Sequence, residues 1–504
     1  MHNVSKPLAA CISLAAAAAL LYSCSKNMKS SPEEQLLTAE AKSGNALAPG
    51  LAKKLDLKNF SVTPPLIKKL AGFENLQVYS MISSDDDFPG YRFAGSADGS
   101  GLVKDPASDG YIMLVNNEDN YSVSKLFLDK NLKPLRGEYA LNSDGGTWRL
   151  CSGSMATPQE HGFGPLYLSA GESNVEAMTH AIDPFAASSP NNAKGLMGLG
   201  RWSAENAVPL SKFAYPGKTL VVIGEDASDA SGGQLVLYKS DATGDLENGS
   251  EYMLRRKDGV QRETDMQVGQ AYAVEFVKIE NHKALTGSQI QALVDPLRVI
   301  KFGRVEDVDY RKGTKEANRE IYFNVTGQEP EGYNADRSRT VWGRVYKLVL
   351  NPNNPLEGTL TCLLDGDDKN GPAKDFQNPD NIMVTENFAY IQEDSNTYGT
   401  ETHDAYVYQY NLATGELKKV FELDHRRNAP DAVKYNGATP SAKGSWEYGS
   451  LVDISDVVHV PNTFTLCIQP HSWKDNKFAG VDGGSKRASE KQGSQVVIIR
   501  DLPR

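Results

Sequence analysis

The chain has 504 residues, with 53 basic and 64 acidic side chains and a formal net charge of −11. Hydrophobic residues make up 40% of the sequence and charged residues 23%, which excludes a mainly disordered, collagen-like or polytopic membrane protein. The acidic balance argues against a nucleic-acid partner, which needs basic patches to release counterions. It suits a protein that keeps carboxylates for cations.

The chain begins with a predicted export signal over residues 1–23. Lys6 is its positive end, and the apolar run Leu8–Leu21 is shorter than the about 20 residues that a membrane span needs. The run ends in Leu21-Tyr22-Ser23-Cys24, and a small residue before a cysteine resembles a bacterial lipoprotein cleavage site. Lipid on Cys24 would anchor an otherwise soluble domain, so we expect an extracytoplasmic protein held at a bacterial, most simply an outer, membrane. Ordinary secretion is the alternative.

The next stretch, residues 24–65, is polar and predicts a tether, which leaves residues 66–504 for the folded domain. The mature chain keeps an odd number of thiols besides Cys24, and they are Cys151, Cys362 and Cys467. An odd number cannot form a complete disulfide framework, so at least one thiol is buried, free or bound to metal.

A β unit recurs six times along the domain, whereas long helical periodicity is scarce; only Gly287–Arg298 could form a helix. In each copy an apolar run ends in an acid or amide, a polar loop follows, and a second alternating run ends at a turn. The polar ends are Glu118, Glu172, Glu225, Asn324, Glu393 and Gln469. This repeat predicts an all-β fold, a six-bladed β-propeller. A β-sandwich is the alternative, but it gives no reason for the repeated polar end.

A second polar residue precedes four of these strand ends at a similar distance. Cys151 lies 21 residues before Glu172, Glu205 lies 20 before Glu225, Glu306 lies 18 before Asn324, and Asp380 lies 13 before Glu393. Because equivalent positions of a propeller converge on its axis, we expect these side chains to face one small volume. Crowded carboxylates must be solvated at a wide mouth or neutralised by cations.

The donor types indicate which cations would fit. Carboxylate oxygens suit Ca²⁺, whereas the thiolate of Cys151 suits a transition metal such as iron or zinc. Each residue taken alone also has a structural explanation, a carboxylate that caps a turn or a buried inert thiol. Arg304 lies two residues before Glu306, so both side chains point the same way on a strand, and an arginine there could bind a phosphoryl group bidentately. A structural Arg–Glu ion pair is the alternative.

Several short blocks, in this order along the chain, are similar to motifs of one known family. They are Asn116-Asn117-Glu118, Leu150-Cys151-Ser152-Gly153, Ala170-Gly171-Glu172-Ser173, Gly200-Arg201-Trp202-Ser203-Ala204-Glu205, Gly224-Glu225-Asp226-Ala227-Ser228, Arg304-Val305-Glu306, and Pro379-Asp380-Asn381-Ile382 followed by Gln392-Glu393-Asp394. The set resembles the PhoX family of calcium-dependent, iron-containing bacterial alkaline phosphatases. The resemblance spans roughly residues 110–475.

The resemblance implies a six-bladed propeller with an iron pair and calcium ions at its centre. Carried over by motif, the candidate iron-side ligands are Cys151, Glu172 and Glu306. Candidates for the calcium side or its surroundings are Glu118, Glu205, Glu225, Asp380, Asn381 and Glu393. Arg304 would assist phosphate. The chain departs from the family where Asn117 and Ala204 replace histidines, where Ala170 replaces a cysteine, and where the last block reads Gln469-Pro470-His471.

The function implied is a metal-dependent phosphoesterase that acts on small phosphomonoesters outside the cytoplasm with Ca²⁺ and Fe³⁺ as cofactors. We expect a monomer. One alternative is a non-catalytic surface propeller that holds cations and binds glycan or protein, which the replaced histidines would explain. Another is a propeller hydrolase of lactones or phosphotriesters, which would use calcium without a thiolate ligand.

Overall fold

The structure is a computed structural model that describes residues 54–504. This part of the chain consists of β-strands joined by loops and a few short helices, so the all-β prediction is confirmed. The predicted signal, the lipid at Cys24 and most of the predicted tether lie outside the described residues. No helix within residues 54–504 combines the length and the apolar character that a membrane crossing requires.

Strands follow one another along the whole of the described chain. The first are β1 (Ile67–Lys69), β2 (Gln77–Ser83), β3 (Asp87–Phe88), β4 (Tyr91–Arg92), β5 (Ala97–Lys104), β6 (Tyr111–Asn117), β7 (Ser122–Leu128), β8 (Pro134–Leu141), β9 (Arg149–Ala156), β10 (Leu166–Glu172), β11 (His180–Ile182), β12 (Ala204–Pro209), β13 (Thr219–Glu225), β14 (Leu235–Ser240) and β15 (Ser250–Arg256). The others are β16 (Ala271–Lys278), β17 (Val305–Tyr310), β18 (Glu320–Val325), β19 (Arg344–Asn351), β20 (Asn354–Asp365), β21 (Pro379–Val384), β22 (Phe388–Glu393), β23 (Tyr406–Asn411), β24 (Leu417–Leu423), β25 (Glu447–Asp453), β26 (Thr463–Gln469) and β27 (Gln495–Arg500).

The helices lie in the connections. They are α1 (Ser143–Gly146), α2 (Gly287–Gln291), α3 (Ala432–Asn436) and α4 (Ser455–Val458). A capping box between Thr286 and Gln289 starts α2, which is shorter than the stretch 287–298 that the sequence allowed. Because the helices are short, the sheets form the core.

Sequential strands pair antiparallel in meanders. The meanders are β5 to β8, β9 to β11, β12 to β15, β17 to β20, β21 to β24 and β25 to β27, and β16 joins the third to the fourth by pairing with both β15 and β20. The second strand of a meander, such as β6 or β13, is buried on both faces, which explains why it reads as a continuous apolar run.

The first strands of the meanders lie side by side around a centre. In ring order they are β5, β9, β12, β17, β21 and β25, and β25 contacts β5 again. Apolar side chains of neighbouring sheets pack between them, as in the cluster that contains Val222, Phe302 and Phe323. This radial, closed arrangement of sheets is propeller-like.

The beginning of the described chain closes the ring. Strand β2 pairs with β27 at the outer edge of the last meander, and β1 pairs with β24 of the one before it. The segment 54–65, predicted as the end of a tether, packs on the sheets instead: Leu55 and Thr63 are buried, and the Phe60 amide donates to the Ser80 carbonyl at 2.8 Å. Leu57 and Phe60 pack against the same apolar cluster as Leu55, so apolar contacts order this segment.

Candidate metal centre

Polar residues near the start of the innermost strands converge on the axis of the ring. In strand order they are Asp98, Cys151, Glu205, Glu306, Asp380 and Glu447. In the first five of these strands the register with the neighbouring strand shifts at this residue, for example between Ala204 and Asn206 and between Val305 and Val308; in β25 it shifts just after Glu447, between Tyr448 and Leu451. Such bulges turn a side chain away from its regular alternation. They direct these residues into the centre of the ring.

The converging side chains line a cavity of about 300 Å³. Its described lining includes ten carboxylates, on Asp98, Glu118, Asp119, Glu172, Glu205, Asp226, Glu306, Asp380, Asp394 and Glu447, together with the thiol of Cys151. Among the same residues, the basic groups of the lining are Arg149, Arg304 and His471. Negative groups therefore far outnumber positive ones in a small volume. We refer to this cavity as the central pocket.

Within the described residues, the ligand atoms fall into overlapping groups whose members lie within 4.8 Å of one another. The groups are Asp98–Cys151–Glu205, Glu118–Cys151–Glu172, Glu205–Glu306–Asp380 and Asp380–Asp394–Glu447. Cys151, Glu205 and Asp380 each belong to two groups, so adjacent sites would share ligands. This arrangement is suited to a cluster of cations rather than to one isolated ion.

Cys151 and Glu172 are in direct contact. The Cys151 thiol donates to Glu172 Oε2 at 2.9 Å. Burial, followed by the charges of Glu172 and Glu205, raises the pKa of Cys151 well above its ordinary value. A bound metal ion would reverse that balance because coordination deprotonates a thiol.

Arg304 connects the carboxylates on the other side of the pocket. Its Nε and Nη2 contact the two Asp226 oxygens at 2.7 and 3.1 Å, and Nη2 lies 2.8 Å from Glu306 Oε1. Its Nη1 donates to Asn396 Oδ1. The residue adopts φ 71°, in the left-handed region that side chains other than glycine rarely occupy. The Asp226 carboxylate is also within hydrogen-bonding reach of Glu172, so Asp226 connects Arg304 to the Cys151 side of the pocket.

The mouth of the pocket carries the more exposed cations. Arg149 is 42% exposed, and its Nη1 and Nη2 lie 2.8 and 3.1 Å from Glu118 Oε1 and Asp119 Oδ1. Gln469 Nε2 donates to the other Glu118 oxygen at 2.8 Å. His471 Nε2 lies 3.4 Å from Glu447 Oε2. These cations pair with carboxylates at the mouth, so fewer positive groups than carboxylates remain in the interior of the pocket.

The buried oxygen atoms show what the pocket lacks. Asp98 Oδ1 and Asp380 Oδ1 have no hydrogen-bond partner among the described residues. Burial first, and neighbouring carboxylates second, raise the pKa of Asp98, Glu205 and Asp380 well above the ordinary range. Buried carboxylates without partners are costly, and cations that bind oxygen remove that cost. The residues present therefore fit several hard cations and, at Cys151, a softer transition metal.

Some predicted site residues lie outside the pocket. Glu225 is buried against Gln291 Nε2, and Glu393 accepts from the Gln377 amide at 2.7 Å, the Tyr408 hydroxyl at 3.0 Å and the Tyr406 amide at 2.8 Å. They pair with Ala204 and Pro379, one residue before Glu205 and Asp380, so their carboxylates turn into the sheet packing. The other predicted residues line the pocket: Arg304, Cys151, Glu172, Glu306, Glu118, Glu205, Asp380 and Asn381.

Sequence reasoning missed several lining residues, which are Asp98, Asp119, Arg149, Asp226, Asp394, Glu447 and His471. Two of them had a signal. Asp98 lies 20 residues before Glu118 and Glu447 lies 22 before Gln469, the same spacing that identified Cys151 and Glu205. Applied to the first and last copies of the repeat, the rule would have found both.

The positions where the chain departs from the resembled motifs also have clear environments. Asn117 Oδ1 accepts from the Ser124 hydroxyl at 2.6 Å, so this amide connects strands β6 and β7 of the first meander. Ala170 and Ala204 pack in one apolar cluster. These side chains contribute nothing to the described lining of the pocket.

Comparison with protein-family models finds no match, and comparison with curated proteins finds none either. Among solved structures, the PQQ-bound aldose sugar dehydrogenase of Streptomyces coelicolor is similar at 10% identity and a TM-score of 0.33, over 86% of this chain and 100% of that one. The α-L-arabinanase of Penicillium chrysogenum, complexed with arabinobiose, is similar at 11% identity and a TM-score of 0.36, over 83% of this chain and 95% of that one. Similarity at this level assigns neither a family nor an activity to the protein.

Proposed function

We propose that the protein is a six-bladed β-propeller that holds a cluster of cations in its central pocket and uses it to hydrolyse phosphate esters. The observation that carries this proposal is the set of overlapping ligand groups around Cys151, Glu205 and Asp380. A pocket that only shaped the fold would not gather buried carboxylates without partners. The motif resemblance to PhoX-type phosphatases supports the choice of reaction.

The proposed cofactors are Ca²⁺ and Fe³⁺. Two groups include the thiol and are suited to iron, Glu118–Cys151–Glu172 and Asp98–Cys151–Glu205. Glu306, which the motif resemblance assigned to the iron side, groups instead with Glu205 and Asp380. The all-carboxylate groups around Asp380 are suited to calcium. When bound, these cations would neutralise the pocket, polarise a phosphoryl oxygen and activate the attacking oxygen.

The chain's own contribution is to bind and orient the phosphoryl group. Arg149 is the more exposed arginine of the described lining, and it can leave its two carboxylates for a ligand at the mouth. Arg304 lies deeper, where Asp226 fixes the plane of its guanidinium. Two arginines at different depths would hold different oxygens of one phosphate and fix its orientation.

The proposal is tested with purified protein that carries its native metals. Elemental analysis should find calcium and iron together. The protein should hydrolyse p-nitrophenyl phosphate, and a chelator should abolish that activity until metal is restored. Absence of bound metal in purified protein that nevertheless hydrolyses the ester would contradict the proposal.

A hydrolase of lactones or phosphotriesters is the second candidate, and the pairing of Arg304 favours it. Asp226, Glu306 and Asn396 already engage the three nitrogen atoms of its guanidinium. An arginine so occupied is less available to a phosphomonoester dianion. This candidate predicts calcium without iron, hydrolysis of a lactone or a phosphotriester, and no hydrolysis of p-nitrophenyl phosphate.

We also infer that the protein is a lipoprotein anchored through Cys24. The sequence around Cys24 supports this location, and the membrane fraction tests it. Protein with the wild-type sequence should sediment with bacterial membranes. The Cys24→Ala variant should lack the lipid and should not sediment with them. Equal labelling of both proteins by a radioactive fatty acid would contradict the inference.

A further inference from the structure

A second cavity, of about 410 Å³, lies away from the axis, between the loops that precede β17 and β19. The charged residues of its described lining are three cations, Arg262, Lys301 and Arg339, and one carboxylate, Asp336. Its walls are fixed by hydrogen bonds, because the Lys301 amide donates to the Gln261 carbonyl at 2.9 Å and the Arg339 amide donates to the side-chain oxygen Oδ1 of Asn334 at 2.9 Å. We refer to it as the Arg339 cavity. It shares no described lining residue with the central pocket.

Arg339 is a buried cation without an acidic partner. It is 3% exposed, and its Nη1 and Nη2 donate to Gln328 Oε1 at 2.6 Å and to the Ala230 carbonyl at 3.2 Å. These acceptors are neutral, and within residues 54–504 no carboxylate forms an ion pair with this guanidinium. Burial accordingly lowers the pKa of Arg339. A buried charge that lacks a counter-ion is expensive unless a ligand supplies one.

The acidic groups near Arg339 do not act as its counter-ion. Glu263 is the first of those whose charge acts on Arg339, but burial raises its pKa to about 7, and its Oε2 already accepts from the Gly303 amide at 2.9 Å. Asp229 and Asp336 act more weakly. The positive charge at Arg339 is therefore only partly offset by the protein.

The two other cations are paired with exposed carboxylates. Lys301 Nζ lies 2.7 Å from Asp295 Oδ1, and Arg262 Nη1 lies 3.1 Å from Asp336 Oδ2. The partner carboxylates are 71% and 64% exposed, so both ion pairs are weak. Arg262 is also held by the carbonyls of Asp336 and Arg337, to which its Nη2 donates at 2.9 and 3.0 Å, so Lys301 is the cation that can exchange its partner for an anion. Tyr333, 64% exposed, adds an aromatic side chain to the lining.

We propose that the Arg339 cavity is a binding site for a phosphate-type oxyanion. Arg339 supplies a fixed, desolvated charge, Arg262 adds a charge held in place by backbone carbonyls, and Lys301 closes on the anion from the surface. Tyr333 offers a face to a flat group attached to the anion, so an aryl-substituted anion should bind more tightly than the bare ion. The site is separate from the central pocket and does not depend on its cations.

The test is a calorimetric titration of the full-length protein with inorganic phosphate and with phenylphosphonate, whose C–P bond resists ester hydrolysis. Both anions should bind before and after treatment with a chelator, with phenylphosphonate the tighter of the two. Arg339→Gln should weaken binding by about tenfold or more, the loss expected for a charged hydrogen-bonding partner. Lys301→Gln should weaken it by several-fold.

Arg337→Gln is the matched control. It removes the same charge two residues from Arg339, from an exposed side chain outside the described lining, and should leave the affinity within about twofold. If Arg339→Gln fails to fold, the phosphate affinity of the surface variant Lys301→Gln tests the proposal instead. Loss of phosphate binding on chelation would place the anion in the central pocket and overturn the proposal. Equal affinities in Lys301→Gln, Arg337→Gln and the wild type would overturn it as well.

Discussion

Asp226 contacts Arg304 with both carboxylate oxygens, at 2.7 Å to Nε and 3.1 Å to Nη2. The two residues are 78 positions apart in the sequence. The pair joins the loop after β13 to the residue before β17, across the boundary between two meanders. Arg304 keeps a left-handed backbone, φ 71°, in this position. Bidentate contact with a strained, partly buried arginine is the geometry of a side chain fixed for recognition.

Replacement of Asp226 by Asn should therefore act through Arg304. Turnover of the hydrolysed ester should fall by about 100-fold, the loss typical of a misplaced charged donor, with a smaller change in KM. The double variant Asp226→Asn/Arg304→Ala should be no slower than Arg304→Ala alone, because the two residues act as a unit. Steady-state kinetics of the three variants measure this.

A matched control for that cycle is Arg255→Ala. It breaks an ion pair to Glu275, with 2.7 Å between Nη2 and Oε1, in which both side chains are 33% exposed. Turnover should stay at the wild-type value. Additive losses in the double variant would show that Asp226 has a role independent of Arg304.

The ring of residues at the innermost strands predicts which carboxylates hold cations. Asp98→Asn and Glu447→Gln should each lower the bound metal content, because both side chains belong to the overlapping ligand groups. Glu225→Gln should leave the content unchanged, since its carboxylate contacts Gln291 outside the pocket. Elemental analysis of the three purified variants measures this, and equal losses in all three would contradict the ring.

Much of the ring could be predicted from the sequence because a propeller repeats one unit around an axis. Cys151, Glu205, Glu306 and Asp380 were identified by their spacing to the following strand end, and all four line the pocket. The spacing holds because each innermost strand is followed directly in the chain by the second strand of its meander. An antiparallel pair places the start of one strand beside the end of the next.

The sequence repeat does not identify which residues at the ends of the second strands reach the pocket. Glu172 reaches the pocket, whereas Glu225 and Glu393, at the corresponding ends of β13 and β22, do not. The register explains the difference, because Glu172 pairs with Arg149, two residues before Cys151, whereas Glu225 and Glu393 pair with the residue directly before Glu205 and Asp380. Side chains alternate along a strand, so Asp226 and Asp394, one residue further on, line the pocket instead. Arg149 meets Glu118 and Asp119 only through the packing of separate meanders, which no local spacing encodes.

Glu251 predicts a pH dependence of stability away from the pocket. Burial raises its pKa to about 8, and Trp202 Nε1 donates to its Oε1 at 3.2 Å. The folded state thus holds a proton that the unfolded state releases, so its contribution is complete below about pH 4.3 and is lost as the pH rises toward 8. The slope is about 1.4 kcal/mol per pH unit.

Glu251→Gln should remove that slope. Denaturant unfolding at pH 5 and at pH 8 should show a smaller fall in the free energy of unfolding for the variant than for the wild type. Glu280→Gln, an exposed carboxylate paired with Lys278, serves as the control and should keep the wild-type slope. An unchanged slope in Glu251→Gln would mean that this carboxyl group ionises freely in the folded protein.

Cys151→Ser separates the two candidate activities. The thiol lies 2.9 Å from Glu172 Oε2 and is shared by two ligand groups, so its removal should eliminate bound iron while calcium at the groups around Asp380 remains. If hydrolysis of phosphomonoesters depends on iron, turnover should fall by about 100-fold or more. Cys467→Ser, a buried thiol of the apolar packing that lies outside the described lining of the pocket, is the matched control and should retain both metals. Full activity of Cys151→Ser on a lactone or a phosphotriester, with calcium alone bound, would instead establish the second candidate, because that chemistry needs no thiolate.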